Sequence, residues 1–420
     1  MYMLPVVVTP VLSRLYTPAD FGEWGIFSSV ITIISIVIFL SYENTIIKAE
    51  EAELKGILTI CLFISLTLIV LSSIGVWLLQ ALSILTGNGL AVWPVLTIYL
   101  IACVAYTLAY NLNNRYANYS TLATANILQG FSQALGRIFF AIIPLFAING
   151  LILGTTLAQL ITAIFLIFPL IEKLRNVLFQ HSNRKDVRNI ASKYRKFPLY
   201  DAPSYLLAFS TLSLPTIILA LFYDKSSVGC LSIIFQLLLM PMSLVGSAIG
   251  KVYYQELSSN CNNTDKIHRL STSVIKVLSV VSLLPMLFIC CGGDKLIVYF
   301  LGKDWTDAGK IAICLSLWSV PIIFTQPLLP LFRVNDKQDE LLKYDLMYFL
   351  GCIGSILTCS VIGMKMPTTL LAFSIVCVIT KSALFFGINK QVHVPTSQLR
   401  NIAIGGCIAL AILVVRILNL

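Results

Sequence analysis

Charged side chains are scarce in this sequence. Asp, Glu, Lys and Arg together make up 11% of the 420 residues, whereas hydrophobic residues make up 58%. With a mean hydropathy of +0.89, this composition excludes a soluble globular domain. The apolar stretches are continuous, unlike the alternating segments of about 10 residues that form membrane β-barrels. The composition therefore predicts an all-α polytopic membrane protein.

The sequence also lacks the short motifs of nucleotide, catalytic and metal sites. It contains no Gly-x-x-x-x-Gly-Lys-Ser/Thr run, no Gly-x-Ser-x-Gly and no His-Glu-x-x-His. Its three histidines are scattered, and its eleven cysteines include no Cys-x-x-Cys pair. We therefore predict no enzyme activity, no cofactor and no metal, and any uphill transport would need an ion gradient or a partner.

Long apolar stretches dominate what is present. A helix needs about 20 apolar residues to cross a bilayer. A shorter stretch at 1–14 would cover only about 20 Å. It lacks the basic region and cleavage site of a signal peptide, so we expect the first helix to be truncated. The predicted spans after it are 22–46, 55–82, 90–112, 118–147, 150–172, 200–222, 228–254, 268–292, 306–331, 341–362, 366–388 and 399–418.

These spans divide into two halves. We predict a six-helix lobe at 1–172, a basic cytoplasmic linker at 173–199, a second six-helix lobe at 200–389 and an additional helix at 399–418. An even number of helices gives both lobes the same orientation. Such repeats are related by an axis along the membrane normal, with the substrate path between them.

The net charge of +10 follows the predicted topology and does not indicate nucleic-acid binding. With the N-terminus inside, the inside loops hold most of the Lys and Arg, as the positive-inside rule requires. The linker is the longest of these loops, and an anionic membrane surface would attract it. Four tryptophans fall at predicted outer ends, where an aromatic belt is expected: Trp24, Trp77, Trp93 and Trp305.

A short motif recurs halfway along the chain. Leu15-Tyr-Thr-Pro-Ala-Asp-Phe-Gly22 has a degenerate copy in which Tyr223 and Gly229 keep the spacing of Tyr16 and Gly22. Each copy lies at the junction of the first and second helix of a lobe. The first helix of each lobe also carries two prolines, which bend helices and suit a rocker-switch carrier: Pro5, Pro10, Pro203 and Pro215.

Two glycine pairs have the spacing of small-residue packing motifs. Gly150 and Gly154 form one pair, and Gly246 and Gly250 form the other. We expect both pairs to let helices approach closely.

The fifth span carries a polar stripe. Asn126, Gln129, Gln133 and Arg137 follow one another at helical spacing and lie on one face. Polar side chains in hydrocarbon face a bundle interior or a wet cavity. Arg137 offers a planar fork of donors that matches phosphate oxygens. It either contacts an anionic substrate in a cavity or donates structural hydrogen bonds to neighbouring helices.

Five further charged residues lie in or near the predicted spans. Arg14 has no counterpart in the second copy of the motif, and it is either a substrate contact or an interfacial anchor. Glu43 is a coupling carboxylate or an interfacial residue. Asp201, near a possible cavity mouth, is a weaker coupling candidate, and Asp20 could cap the second helix. Lys381 lies close enough to an inner end to snorkel.

The chain resembles the bacterial polysaccharide transporter family, the Wzx-type O-antigen and capsule flippases of the multidrug/oligosaccharidyl-lipid/polysaccharide exporter superfamily. The resemblance covers residues 4–389. It rests on Pro10-Val-Leu-Ser-Arg-Leu-Tyr-Thr-Pro-Ala-Asp-Phe-Gly22, Tyr42-Glu43, Lys196-Phe-Pro-Leu-Tyr200, Pro241-Met-Ser-Leu-Val-Gly246 and Asp304-Trp305 with Ala308-Gly309.

This resemblance implies a flippase that moves an undecaprenyl-pyrophosphate-linked oligosaccharide across the bacterial inner membrane. The implied partners are the lipid-linked oligosaccharide, membrane lipids and other polysaccharide-assembly proteins. A pyrophosphate cannot cross hydrocarbon unassisted, because desolvating it costs too much. Two alternatives stay open: a cation-coupled drug exporter of the same superfamily, and a membrane-embedded polysaccharide-modifying enzyme.

Overall fold

The computed structural model describes residues 3–47, 49–81, 92–143, 149–173, 175, 184–195, 197–259, 264–335, 337–392, 400, 406 and 410–417. All of its regular elements over these residues are helices. They are α1 (Met3–Leu15), α2 (Pro18–Val37), α3 (Glu51–Ala81), α4 (Val92–Arg115), α5 (Tyr119–Ile142), α6 (Gly150–Ile167), α7 (Arg184–Lys193), α8 (Ala202–Phe222), α9 (Lys225–Ser259), α10 (Thr264–Val281), α11 (Leu284–Phe288), α12 (Asp294–Leu301), α13 (Thr306–Thr325), α14 (Pro330–Val334), α15 (Gln338–Val361) and α16 (Met366–Val392).

Within the described ranges, nine helices are long and apolar enough to cross a membrane, or ten if a bent pair counts as one span. The bent pair includes α8, where the chain turns by 50° between Leu207 and Phe209. The predicted span 1–14 corresponds to α1, which has only 13 residues. The helix α5 is not among the nine, because its polar stripe lowers its mean hydropathy. Half of the predicted helix 399–418 lies outside the described residues, and residues 410–417 are helical.

One predicted span is corrected because it is broken, and a second has a kink at its end. The span 22–46 is a helix that ends at Val37, followed by Leu40 and Ser41 with positive φ and a 3-10 helix at Tyr42–Ile47. The span 268–292 lies within one candidate membrane span, Asp265–Leu301, which contains α10, α11, a π-helical turn at Ile289–Gly293 and α12. Gly292 has a φ of 115° there, which suits glycine.

The chain divides into two compact units. The first unit comprises Met1–Tyr16 and Glu23–Ser213, and the second comprises Thr17–Gly22 and Leu214–Leu420. This division falls within α8, whereas the sequence analysis set the boundary at the linker 173–199. In the first unit, buried side chains of α2, α3, α4 and α6 form a large apolar core around Phe39, Ile57 and Leu100. In the second unit, Tyr253, Phe332 and Leu384 belong to such a core.

Glycine permits the tight packing of α5 against α6. A Cβ on Gly154 would lie 2.5 Å from the backbone N of Arg137 and 2.8 Å from its Cα. The prediction for Gly150 and Gly154 is therefore confirmed. The prediction for Gly246 and Gly250 is wrong, because a Cβ on Gly246 would meet nothing within 4 Å and one on Gly250 would make only ordinary contacts.

Both copies of the repeated motif lie where one helix ends and the next begins. Tyr16 follows α1 and donates its hydroxyl to the carbonyl oxygen of Arg137 at 2.6 Å. Tyr223 follows α8 and donates to the carbonyl oxygen of Met364 at 2.7 Å. Each tyrosine thus connects a helix junction to backbone that is distant in the sequence, by 121 residues in the first case and 141 in the second.

The two junctions also begin their second helices with similar caps. Thr17 and Asp20 bond reciprocally at the start of α2, since the Asp20 carboxylate accepts from the Thr17 N–H at 2.8 Å and Thr17 Oγ1 accepts from the Asp20 N–H at 3.3 Å. At the start of α9, the Asp224 carboxylate accepts from the Ser227 N–H at 2.9 Å. The order of the hydroxyl and the carboxylate is reversed. Asp20 therefore caps its helix, but the helix begins earlier than expected, at Pro18.

The described part of the linker forms a helix that docks on the first unit. Ile190 of α7 packs where Gly56 leaves room on α3. Lys193 forms an ion pair with Glu53 at 2.5 Å, and Tyr194 donates to the same carboxylate at 2.8 Å. Arg188 and Arg195 are exposed.

Two residues of the expected aromatic belt lie elsewhere. Trp305 is buried in the second unit, with its ring 5.1 Å from that of Phe21. Trp24 lines a cavity, described below. Trp77 is 51% exposed, as a belt residue would be.

Candidate functional site

The first unit contains a cavity of about 570 Å³. It is formed by side chains from α2, the 3-10 helix Tyr42–Ile47, α4, α5, α6 and α8. Glu43 is the one Asp, Glu, Lys or Arg among its described lining residues; the others are apolar or carry neutral polar groups.

One wall of the cavity is a stripe along α2. Trp24, Ser28, Thr32 and Ser35 follow at spacings of four, four and three residues, which places them on one helical face. The opposite wall includes Tyr99, Cys103 and Tyr106 of α4. Ser35 Oγ lies 3.4 Å from Cys103 Sγ, so the two walls meet there.

The helices α5 and α6 supply the amide groups. Gln129 donates through Nε2 to Oε1 of Gln159 at 2.9 Å, and both line the cavity together with Gln133 and Thr155. Gln129 Oε1 is buried and has no hydrogen-bond partner among the described residues. An incoming donor would satisfy that oxygen.

Arg137 lies one layer behind this wall. Its Nη2 donates to Thr155 Oγ1 at 3.0 Å, and its guanidinium carbon is 4.7 Å from the centre of the Trp24 ring. The residue is 2% exposed. Over the described parts of the chain, no carboxylate pairs with it and its Nε has no hydrogen-bond partner. The wall therefore has an uncompensated positive charge behind it.

Glu43 lies on the 3-10 helix between two candidate spans. Its Oε1 accepts weakly from Asn44 Nδ2 at 3.5 Å, and its Oε2 is buried with no partner among the described residues. Burial raises the pKa of Glu43 from its ordinary value of 4.5 to about 7. The carboxyl therefore changes charge near neutral pH.

The backbone that carries Glu43 is held from both ends of its segment. Arg115 Nη1 donates to the carbonyl oxygens of Ile46 and Ala49 at 2.7 and 2.6 Å. Tyr42 donates to the carbonyl oxygen of Ala191 in α7 at 3.2 Å. These bonds fix where the Glu43 side chain enters the cavity.

The structure brings some of the predicted site residues together. Gln129, Gln133 and Glu43 line the cavity, whereas Asn126 is half-buried and not among the lining residues, and Arg137 lies behind the wall. Arg137 is not among the lining residues, because its guanidinium packs behind Trp24 and Thr155, and its role towards a substrate stays a prediction. Arg14 and Asp201 are exposed and do not line the cavity.

The sequence analysis missed most of the lining residues. The stripe on α2 and the pair Thr155 and Gln159 on α6 have the same helical spacing as the stripe on α5. Comparing polar residues across all the spans would have found them. Their hydroxyls are less conspicuous than an arginine, because Ser and Thr can satisfy themselves within a helix.

No group of three or more His, Cys, Asp or Glu in the described ranges could hold a metal ion. The arrangement suits binding of a polar ligand by neutral donors and acceptors, with one titrating carboxyl.

A family model described as "Polysaccharide biosynthesis protein" matches residues 11–310. The chain belongs to this family, which confirms the resemblance found in the sequence. A search of curated proteins found no match.

Solved structures give the fold. A multidrug resistance MATE family transporter of the MOP superfamily, in an inward-facing conformation, matches with a TM-score of 0.73 and 14% identity over 94% of this chain and 95% of that one. The lipid II flippase MurJ matches with a TM-score of 0.72 and 13% identity over 99% and 95%. A MOP superfamily transporter from Pyrococcus furiosus matches with a TM-score of 0.55 and 13% identity over 92% and 91%.

The protein is thus a multi-pass membrane protein with the all-α fold of MOP-superfamily transporters. It is a member of a polysaccharide biosynthesis family.

Proposed function

We propose that the protein is a flippase that moves an undecaprenyl-pyrophosphate-linked oligosaccharide across the bacterial inner membrane by alternating access. The observation that carries this proposal is the cavity of the first unit, whose neutral polar wall has the unpaired charge of Arg137 behind it. Membership in a polysaccharide biosynthesis family and the fold shared with a lipid II flippase support the choice of substrate.

The chemistry of the cavity suits the two polar parts of such a substrate. The side-chain amides of Gln129, Gln133 and Gln159 can exchange hydrogen bonds with sugar hydroxyls. Arg137 stabilises a pyrophosphate through the low dielectric of the wall, where a charge acts strongly over a short distance. The prenyl tail can stay in the bilayer.

Glu43 is the proposed coupling residue. When its carboxyl is protonated, the cavity is neutral and the field of Arg137 favours an anion. When it is ionised, its negative charge opposes the pyrophosphate. Proton uptake and loss at Glu43 would therefore alternate the cavity between binding and release. Asp201 stays a weaker candidate for this role, because it is exposed outside the cavity lining.

The proposal is tested by complementation of a bacterial strain that lacks its own O-antigen or capsule flippase. We expect Arg137→Ala to lose most surface-polysaccharide export and to accumulate lipid-linked oligosaccharide, while Arg137→Lys, which keeps the charge without the fork, retains part of it. Arg14→Ala is the matched control, since Arg14 is exposed away from the cavity lining.

Normal export by Arg137→Ala, at unchanged abundance in the membrane, would contradict the proposal. Loss of that variant from the membrane would instead assign Arg137 a structural role.

A cation-coupled drug exporter is the second candidate, because Glu43 is the carboxylic acid among the described residues that line the cavity. A carboxylate there would attract a cationic drug. Drug resistance in cells that lack their efflux pumps, lost in Glu43→Gln and unaffected by Arg137→Ala, would favour the exporter.

A further inference from the structure

The second unit holds a buried ion pair that the sequence analysis did not find. Lys381 was expected to snorkel towards an interface, and this is corrected: it is 3% exposed and turned inward from α16. Its Nζ lies 3.7 Å from Oδ1 of Asp345 on α15. Both helices are candidate membrane spans.

Apolar and aromatic groups surround the pair. Lys381 Nζ is 4.1 Å from the centre of the Tyr348 ring, and the Tyr348 hydroxyl accepts from Trp318 Nε1 of α13 at 3.2 Å. The other ionisable side chains around Tyr348, within the described ranges, are Cys352 of α15 and Cys377 of α16. Neither is a carboxylate, and Asp345 is the acidic partner of Lys381 in the described ranges.

The two members of the ion pair differ in how exposed their side chains are. The side chain of Lys381 is 4% exposed, whereas that of Asp345 is 30% exposed. A small ion that enters from outside the unit therefore reaches the carboxylate first. The lysine ammonium lies beneath it and depends on it for charge compensation.

We infer that Asp345 is a proton-binding site, at which Lys381 serves as the internal cation when the proton is absent. A proton from water bonds to a carboxylate oxygen of Asp345, and no other bond is broken. Lys381 keeps its own proton and loses its counter-ion, so the charge of the pair changes from zero to +1.

This change would bias the packing of α15 against α16. A charged side chain without a partner is costly inside a membrane, and removal of one member of a buried pair destabilises strongly. Protonation therefore favours an arrangement that solvates Lys381 Nζ. The role of this proton-binding site depends on the proposed transport function. It does not depend on which substrate is transported.

The experiment is an infrared pH titration of the purified full-length protein in nanodiscs. We expect a protonated-carboxyl band that is lost in Asp345→Asn, shifted in Asp345→Glu and unchanged in Asp339→Asn. Asp339 is the matched control, because it is an exposed carboxylate on the same helix. The infrared measurement needs no substrate, so its result is independent of whether the protein is a flippase.

Absence of a band that depends on Asp345, over the pH range in which the protein stays folded, would overturn the inference. A band that responds to Na⁺ at constant pH, and not to pH, would overturn the assignment to a proton.

A double variant separates coupling from a purely structural role. Asp345→Asn with Lys381→Met leaves no unpaired charge, and we expect it to accumulate better than either single variant while its transport no longer depends on pH in the wild-type manner. A double variant with the wild-type pH profile would show that the pair serves stability alone.

Discussion

The guanidinium carbon of Arg137 lies 4.7 Å from the centre of the Trp24 ring. The aromatic face covers an arginine that has no acidic partner in the described parts of the chain. A cation over an indole ring is stabilised by the ring quadrupole, more so when both are desolvated. This contact explains how a membrane helix retains the arginine, and it places Trp24 between the charge and the cavity.

The first prediction concerns this ring. Trp24→Leu should lower stability by about 0.5–2 kcal/mol and reduce transport, because the guanidinium loses its cover and shifts. Trp24→Phe, which keeps an aromatic face, should lose less. Thermal unfolding in detergent and complementation measure the two effects.

Trp77→Leu is the control, since Trp77 is 51% exposed and the same substitution there should change little. An equal effect at Trp24 and Trp77 would show that the contact with Arg137 contributes nothing.

Much of the architecture could be predicted because it depends on local composition. The apolar stretches gave α3, α4 and α6, and the motif around Tyr16 gave the helix junctions. The spacing from Asn126 to Arg137 correctly placed Gln129 and Gln133 on one face. These features follow from helical periodicity, which is written in the sequence.

How deeply a side chain is buried does not follow from helical periodicity. Arg137 lies behind the wall because Gly154 lets α6 approach α5, and Lys381 turns inward because Asp345 lies on the next helix. Both outcomes depend on residues far away in the chain. The break after Val37 was also unpredictable, since Leu40 and Ser41 adopt positive φ without glycine.

A second prediction tests the approach of α5 and α6. Gly154→Ala should destabilise the protein by about 1–3 kcal/mol, the range for overpacking, because its Cβ would overlap the backbone of Arg137. Gly246→Ala should be neutral or stabilising by up to about 1 kcal/mol, since alanine favours helices and the site is open. The measurement is the thermal unfolding temperature of both variants. A similar change in this temperature for both would contradict the close packing of α5 against α6 at Gly154.

The third prediction concerns pH. The pKa of Glu43 is raised in the folded protein, so the folded state binds more protons than the unfolded state between about pH 4.5 and 7. The contribution of Glu43 to stability should therefore be fully present below pH 4.5 and be lost as pH rises to about 7. The loss is on the order of 3 kcal/mol, from 1.36 kcal/mol per pKa unit.

Glu43→Gln should remove this slope and flatten the pH dependence of transport. The measurement is the free energy of unfolding of the wild type and of Glu43→Gln from about pH 4 to about pH 8, an interval that contains both the ordinary and the raised pKa. Glu51→Gln is the control, because Glu51 is exposed near the start of α3. A slope that persists in Glu43→Gln would assign it to another group.

The last prediction uses the reversed caps. Thr17 precedes α2 with Asp20 three residues later, whereas Asp224 precedes α9 with Ser227 three residues later. Either order satisfies backbone donors at the start of a helix, because a hydroxyl and a carboxylate both accept. Replacing both Thr17 and Asp20 with alanine should cost about 0.5–2 kcal/mol.

The exchange of Thr17→Asp with Asp20→Ser should restore most of that stability, because it copies the arrangement at α9. The reciprocal exchange, Asp224→Ser with Ser227→Asp, should be tolerated for the same reason. Thermal unfolding of the exchanged and alanine variants provides the comparison. If the exchanged variant were as unstable as the double alanine variant, the order of the hydroxyl and the carboxylate would be important at this junction. The starts of α2 and α9 would then not be equivalent.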